Sequence, residues 1–328
     1  MTTVNDIAER LNLSQTTVSV VLRGQGDQRK IAKKTQKLIW ETAQEMNYRP
    51  NISAKRLRAA DNNVFAIAVY YTMDYRAAYM IRFLGGLRQK IKEMGLHVDL
   101  IIKQYERLQD TFEEDALYHA AIVCNASEDD LVYLEGQTNS IPIVLYNRKS
   151  ERFSSVCLDH GELGRSAIEI LHQKGANHVL FISNRIIYRG MEDITKEFYR
   201  LADVYGMKVS QVETEDNMQS AACAVNNFLK DNDMPDACFA ASSYTSYAII
   251  NMLLRRGYRI PEQIRFLGTG SGFVEYEDYG FVSSSTLEIP REEMAGKCLE
   301  VALQLVRQEI EQPVTFLFEP TYVERESC

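Results

Sequence analysis

The sequence predicts an all-α helix-turn-helix head followed by an α/β domain of two Rossmann-like lobes. Three observations predict it. Two short amphipathic stripes joined by a tight turn, with a third stripe behind them, fill residues 1–60. Those sixty residues are basic, with eleven Lys/Arg against five Asp/Glu, in a chain whose formal net charge is −8. From residue 64 onward, apolar runs alternate with helical stretches, and the alternation restarts after Asp159, as two parallel sheets wrapped by helices require.

The first stripe is Val4, Ile7, Ala8 and Leu11, at i, i+3, i+4 and i+7. Thr3 with Asp6 three residues on has the form of a capping box. Asn12 breaks the stripe, and Ser14 can cap a second helix carrying Val18, Val21 and Leu22. Neither helix can bury its stripe alone, so Ile39, Ala43 and Met46 are expected to form a third. Hairpins of this kind also occur in all-α cores, but the local positive charge is the footprint of a phosphate-binding module. The second helix is then the one shaped for a major groove. Arg23–Lys30 holds two glycines and reads as a loop, either solvated or touching phosphate. Trp40, the single tryptophan, falls off the third stripe. Pro50 stops the preceding helix. The segment after it, through Arg58, is too short to be a stable helix in isolation.

Asp6-Ile7-Ala8, Ser14, Thr17-Val18-Ser19, Asn47-Tyr48-Arg49-Pro50-Asn51 and Ala54-Lys55-Arg56-Leu57 resemble the DNA-binding head and hinge of the LacI/GalR family of bacterial transcriptional regulators. The resemblance runs on to Glu324-Arg325-Glu326-Ser327. It implies a head over 1–49, a hinge over 50–60, and a periplasmic-binding-protein-like effector-binding and dimerisation domain over 61–328. Lobe 1 would take about 61–158 and 290–318, and lobe 2 about 159–289 and 319–328. It implies a repressor that binds double-stranded operator DNA as a homodimer, switched by a small molecule in the cleft between lobes. Gln15, Thr16 and Val20 would face base edges; Thr17, Ser19 and Arg23 would lie nearer phosphates. Thr3, Ser14, Arg29, Asn51, Ala54 and Lys55 would add contacts, and Leu57 would wedge into the minor groove.

In the α/β part the expected strands are Val64–Tyr70, His97–Lys103, Ala120–Cys124 and Ile141–Leu145, with a helix at Ala77–Met94. After Asp159 come helices at Leu163–Lys174, Glu192–Tyr205, Ser220–Asp231 and Ser246–Arg256. They are interleaved with strands at His178–Ser183, Lys208–Val212, Ala237–Ala241 and Ile264–Leu267. Ligands of such sheets sit beyond the carboxyl ends of the strands. Tyr71, Asp74, Tyr75 and Tyr79 follow the first strand, and tyrosines offer a flat face with a hydroxyl, as suits a sugar, nucleoside or aromatic ligand. Ordinary half-buried packing is the plainer account of them.

Set against the family, the pocket positions depart from pattern. Asn125, Asn147-Arg148, Ser242-Ser243 and Gly270 stand where acidic or Asn-Asp residues are common. Ile194 stands where an arginine often clamps the effector. With Tyr244, these residues predict a ligand held by stacking and neutral hydrogen bonds, with Arg148 and Asp74 the charges nearby. A sugar, a sugar derivative or a nucleoside fits that description.

Gly268-Thr269-Gly270-Ser271-Gly272 lacks the third glycine of a dinucleotide fingerprint and the Lys-Ser/Thr of a phosphate loop. Six scattered cysteines and five separated histidines show no zinc spacing and no nucleophilic triad. No catalytic residues, metal or cofactor are expected. With no signal peptide or membrane span in view, the expected location is the cytoplasm. The alternatives are a sugar-binding or sugar-processing α/β protein with an accessory head, and a regulator switched by a protein partner.

Overall fold

The computed structural model describes residues 4–22, 26–27, 29–46, 64–72, 80–112, 118–137, 141–184, 189–215, 217–242, 245–272 and 274–328. The chain divides into two compact units, Met1–Asn62 and Asn63–Cys328.

In the first unit α1 (Val4–Leu11), α2 (Gln15–Leu22) and α3 (Lys33–Glu45) surround one small core. Ile7, Ala8, Val18, Val21, Ile39 and Ala43 fill it, with Leu11, Leu13, Leu22, Ile31 and Met46 packed against them. These are the three predicted stripes. Asn12, at φ 51°, ends α1 in the left-handed region that asparagine tolerates better than most residues. The Leu13 amide donates to the Ala8 carbonyl at 2.9 Å and the Asn12 amide to Glu9 at 3.2 Å, the paired bonds of a Schellman stop. Ser14 Oγ then accepts the Thr17 amide at 3.1 Å, capping α2. Trp40 is 46% exposed.

The second unit holds two six-stranded sheets. Its first part supplies β1 (Val64–Thr72), α4 (Met80–Met94), β2 (His97–Tyr105), β3 (Ala120–Cys124), α5 (Glu128–Gly136), β4 (Ile143–Tyr146) and β5 (Ser154–Leu158). The next part runs α6 (His160–Gln173), β6 (His178–Asn184), α7 (Arg189–Val204), β7 (Lys208–Thr214) and α8 (Met218–Asp231). It continues through β8 (Ala237–Ala240), α9 (Ser246–Arg255), β9 (Arg265–Thr269), α10 (Val274–Asp278) and β10 (Ser285–Glu288). The chain closes with α11 (Arg291–Val306), β11 (Thr315–Phe318) and β12 (Thr321–Val323).

Sheet order is β11-β5-β4-β3-β1-β2 in lobe 1 and β12-β10-β9-β8-β6-β7 in lobe 2. All pairings are parallel except β10 with β12. The chain therefore crosses between sheets after Leu158, after Glu288 and after Phe318. Central strands β3, β4, β5 and β8 are buried at every position, which is why they read as apolar runs rather than alternating ones. Helix α11 returns to lobe 1, packing on α4 and on β3, β4 and β5. Phe181, Phe198 and Phe239 stack in lobe 2 with neighbouring centroids 4.7 and 5.5 Å apart, each such pair adding about 1 kcal/mol beyond its buried area.

Helix α5 and strand β5 have no counterpart among the sequence expectations. Ser127 caps α5 in a box with Asp130, but the helix that follows has no strong apolar stripe. β5 opens on Ser154-Ser155, whose hydroxyls are buried rather than solvated.

Candidate functional site

The head presents its polar chemistry outward. Ser14, Gln15 and Thr16 are exposed at the start of α2, and Thr17 and Ser19 are half-buried. Ser14 Oγ lies 2.8 Å from Thr17 Oγ1, so these two hydroxyls brace the first turn while Gln15 and Thr16 stand outward beside it. That end of a helix carries amide hydrogens and partial positive charge, which favour phosphate. Arg29, Lys30, Lys34 and Lys37 are exposed as well. The following turn is stapled: Asp27 accepts Lys33 Nζ at 2.7 Å and Gln36 Nε2 at 3.0 Å, and Gln36 Nε2 also donates to the Ile31 carbonyl at 2.7 Å. The hydrogen bonds from Lys33 and Gln36 hold the Asp27 carboxyl below its usual range.

Val20 is the least exposed of the three residues expected at base edges. It is 9% exposed and has little surface to offer a groove. Val18 and Val21, not Val20, belong to the core beneath the helix, with Leu22 packed against it. Thr3, Arg23, Asn51, Ala54, Lys55 and Leu57 lie outside the described residues, as do Asp74, Tyr75, Tyr79, Ser243 and Tyr244.

At the strand ends of lobe 1 the predicted groups hold one another. Asn125 and Asn147 have φ 51° and 59°, a region where asparagine replaces glycine at low cost. Arg148 donates from Nε to the Ala126 carbonyl at 2.5 Å, from Nη1 to Asn147 at 2.6 Å and from Nη2 to Asn125 at 3.4 Å. The Leu158 amide donates to Asn147 Oδ1 at 3.3 Å. Arg148 thus ties the ends of β3 and β4 together. Beside it His160 is buried, and burial, aided by Arg148 and Lys149, pushes its pKa down to about 4. Tyr71 is half-buried on β1, and the preceding Tyr70 is buried with its hydroxyl 2.6 Å from that of Tyr118.

Lobe 2 differs from expectation. Ile194 is 1% exposed and cannot touch a ligand. Its carbonyl is the atom that a Cβ on Gly164 would strike, so this stretch of α7 is pressed onto α6. An apolar residue at this position completes the helix–helix contact, which corrects its assignment to the effector pocket. Ser242 is buried, and its carbonyl accepts Thr245 Oγ1 at 3.2 Å ahead of α9. Gly270 is buried at the end of β9, and a Cβ there would overlap the Glu288 carboxylate. Arg291 Nη2 donates to the Gly270 carbonyl at 3.0 Å, and the Ser271 amide donates to Glu277 Oε1 at 2.5 Å. Glu277 is 5% exposed. Burial and its neighbour Glu288 push its carboxyl up to about 7. Arg325 reaches the same cluster, bonding Asp278 at 2.7 Å and Thr286 Oγ1 at 2.8 Å.

The neutral pocket that the sequence suggests is therefore accompanied by Arg82, Glu277, Glu288, Arg291 and Arg325. None stands at the end of a predicted strand. The one signal that could have found them is Gly270 itself, a residue without a side chain where the chain needs room for another. Among the described residues no group of three or more His, Cys, Asp or Glu is arranged to hold a metal ion. Nor, among them, is any helix long and apolar enough to cross a membrane.

Comparison with known proteins bears on both units. Residues 3–51 match the model of bacterial regulatory proteins of the lacI family. Residues 168–328 match that of the periplasmic binding protein-like domain. The HTH-type transcriptional repressor PurR of Aliivibrio fischeri is 23% identical over 342 residues, covering 100% of this chain and 98% of that protein. Among solved structures, the lac repressor dimer bound to operator and the anti-inducer ONPF superposes with a TM-score of 0.70 at 15% identity, over 99% of this chain and 98% of that one. The transcriptional regulator CelR in complex with cellobiose does so with a TM-score of 0.68 at 18% identity, over 100% of each chain. At those identities the two structures speak for the fold.

Proposed function

We infer the function from one premise: the chain belongs to the lacI family of bacterial regulatory proteins. It is a DNA-binding transcriptional regulator, a repressor that acts as a dimer on operator DNA and is switched by a small ligand. The observation that carries the DNA-binding part is the capped turn of α2, which leaves Gln15 and Thr16 outward on a basic head. One head reads one half-site, so a two-fold dimer reads a pseudo-palindrome. This work needs no catalytic chemistry, and it belongs in the cytoplasm, where the DNA is.

The ligand reading rests on the two-lobed build. A ligand shifts a two-state protein only by binding one arrangement better than the other. A sugar, a sugar derivative or a nucleoside suits a cleft that combines Tyr71 with amide and hydroxyl groups, and CelR, of the same build, is solved with cellobiose. Footprinting upstream of the protein's own gene and its neighbours tests the first part: a protected pseudo-palindrome is expected, and protection without two-fold symmetry counts against it. Thermal-shift screening of mono- and disaccharides, sugar phosphates and nucleosides tests the second. A true effector changes operator affinity, and operator changes the effector's affinity by the same factor.

A further inference from the structure

The turn Gly270-Ser271-Gly272 belongs to lobe 2 but is gripped from both lobes. It closes β9, and the Gly270 amide bonds the Leu287 carbonyl of β10 at 2.8 Å. From lobe 1 come two arginines. Arg291 opens α11, two residues past the crossing at Ile289, and donates to the Gly270 carbonyl. Arg82 stands on α4 and pairs with Glu292 of α11. A Cβ built on Gly272, whose φ is +84°, would lie 3.2 Å from Arg82 Cδ and 3.6 Å from Arg291 Nη1. From lobe 2 come two carboxylates: Glu277 holds the Ser271 amide, and Glu288 occupies the side of Gly270 where a side chain would be. Both glycines are thus set by close approach, and at Gly272 by backbone angle too.

We propose that this turn is a clamp at the pivot of the two lobes, and that Arg82 and Arg291 closing on it set the angle between them. A grip beside a crossing has little leverage on distance but strong control of rotation. The charges that face it are Arg82, Arg291 and Arg325 against Glu277, Asp278, Glu288 and Glu292, so the clamp is an alternating array, not a single pair. Its link to repression rests on the functional reading above; its control of lobe angle does not.

The test uses the full chain. Cys223 on α8 is exposed and the other five cysteines are buried. A nitroxide at Cys223 and another at Val132→Cys on α5, where the side chain is 71% exposed, report the distance between lobes. An excess of unlabelled protein keeps one labelled protomer per dimer. Arg82→Ala and Gly272→Ala are expected to move the mean distance by about 2 Å or to broaden it comparably. Arg107→Ala, which loses only an exposed pair with Asp110, should change nothing. Wild-type distances in folded Arg82→Ala and Gly272→Ala overturn the clamp. If Gly272→Ala fails to fold, Arg82→Ala decides alone, because its side chain is partly solvated. A changed distance with unchanged operator affinity supports the clamp and rejects its link to repression.

Discussion

The head and the α/β domain place their polar chemistry in opposite ways. In the head Ser14, Gln15 and Thr16 are exposed, and the core beneath them is apolar apart from the buried Thr42. In the α/β domain Glu277, Arg291, His160 and Asn125 are buried, and Glu277 and Arg291 spend hydrogen bonds on the loop backbone of Ser271 and Gly270. The difference separates two kinds of site. A surface that meets a rigid, charged polymer can carry its contacts ready-made. A domain that changes shape must hold its strand ends together first, so the same residue types serve as struts. Substitutions at the exposed polar residues of the head should therefore cost function without stability, and those at the strand ends should cost stability first.

The largest expected effect is at Arg148. Arg148→Ala removes bonds to the Ala126, Asn147 and Asn125 carbonyls and is expected to destabilise the α/β domain by about 3 kcal/mol, given the worth of hydrogen bonds to charged groups and of partly buried acceptors left unpaired. Denaturant unfolding reads it. A loss near zero, with ligand binding abolished, would turn Arg148 back into a pocket residue and erase the contrast between the two units.

Gln15→Ala tests the other side. A bidentate base contact contributes about 1–3 kcal/mol of discrimination, so operator affinity should fall about tenfold or more while the unfolding midpoint stays put. A parallel fall on random DNA would place Gln15 on phosphates instead.

What the sequence made legible follows the same divide. α1, α2 and α3 announce themselves because their stripes are local and periodic, and Ser14 marks a cap that forms as expected. Strands β1, β3 and β8 are equally plain as apolar runs. Arg82, Glu277, Glu288 and Arg291 are far apart in sequence and meet only because β10 crosses to α11 beside the end of β9. No spacing rule reaches that. β5 was hidden by Ser154 and Ser155, whose polar side chains are satisfied inside: Val314 donates to Ser154 Oγ at 3.2 Å, and Ser155 Oγ donates to the Phe153 carbonyl at 3.3 Å. Val20 is less plain, because its position along the helix matches a reader of bases while little of it is exposed.

That point sharpens into a smaller effect. Val20→Ala removes two buried methyl groups and should lower head stability by about 1.5 kcal/mol. A binding-site selection should return an unchanged motif. A changed motif with unchanged stability would restore Val20 as a base contact.

The smallest net effect is on the pH profile of the α/β domain, because two buried groups oppose each other. Glu277 has its folded pKa raised from 4.5 to about 7, chiefly by burial and then by Glu288. Its protonated form is favoured in the fold, so its contribution is full below about pH 4.5 and is lost as pH rises through about 7. His160 has its folded pKa lowered from 6.5 to about 4, chiefly by burial and then by Arg148 and Lys149. Its contribution is full above about pH 6.5 and is lost as pH falls through about 4. Between about pH 4.5 and 6.5 the two slopes run in opposite directions, and the wild-type melting temperature should change little with pH. Glu277→Gln keeps an acceptor for the Ser271 amide and removes one slope. The variant should melt higher than wild type above pH 7, by about 1 kcal/mol or some 2–4 °C after solvent screening is allowed for. It should also melt progressively lower below pH 6.5 as the His160 slope is uncovered. His160→Asn should do the reverse, leaving a profile that falls as pH rises. Parallel profiles for wild type and Glu277→Gln would mean that Glu277 is ionised in the fold at neutral pH, with Arg325, 3.9 Å from its Oε2, neutralising it.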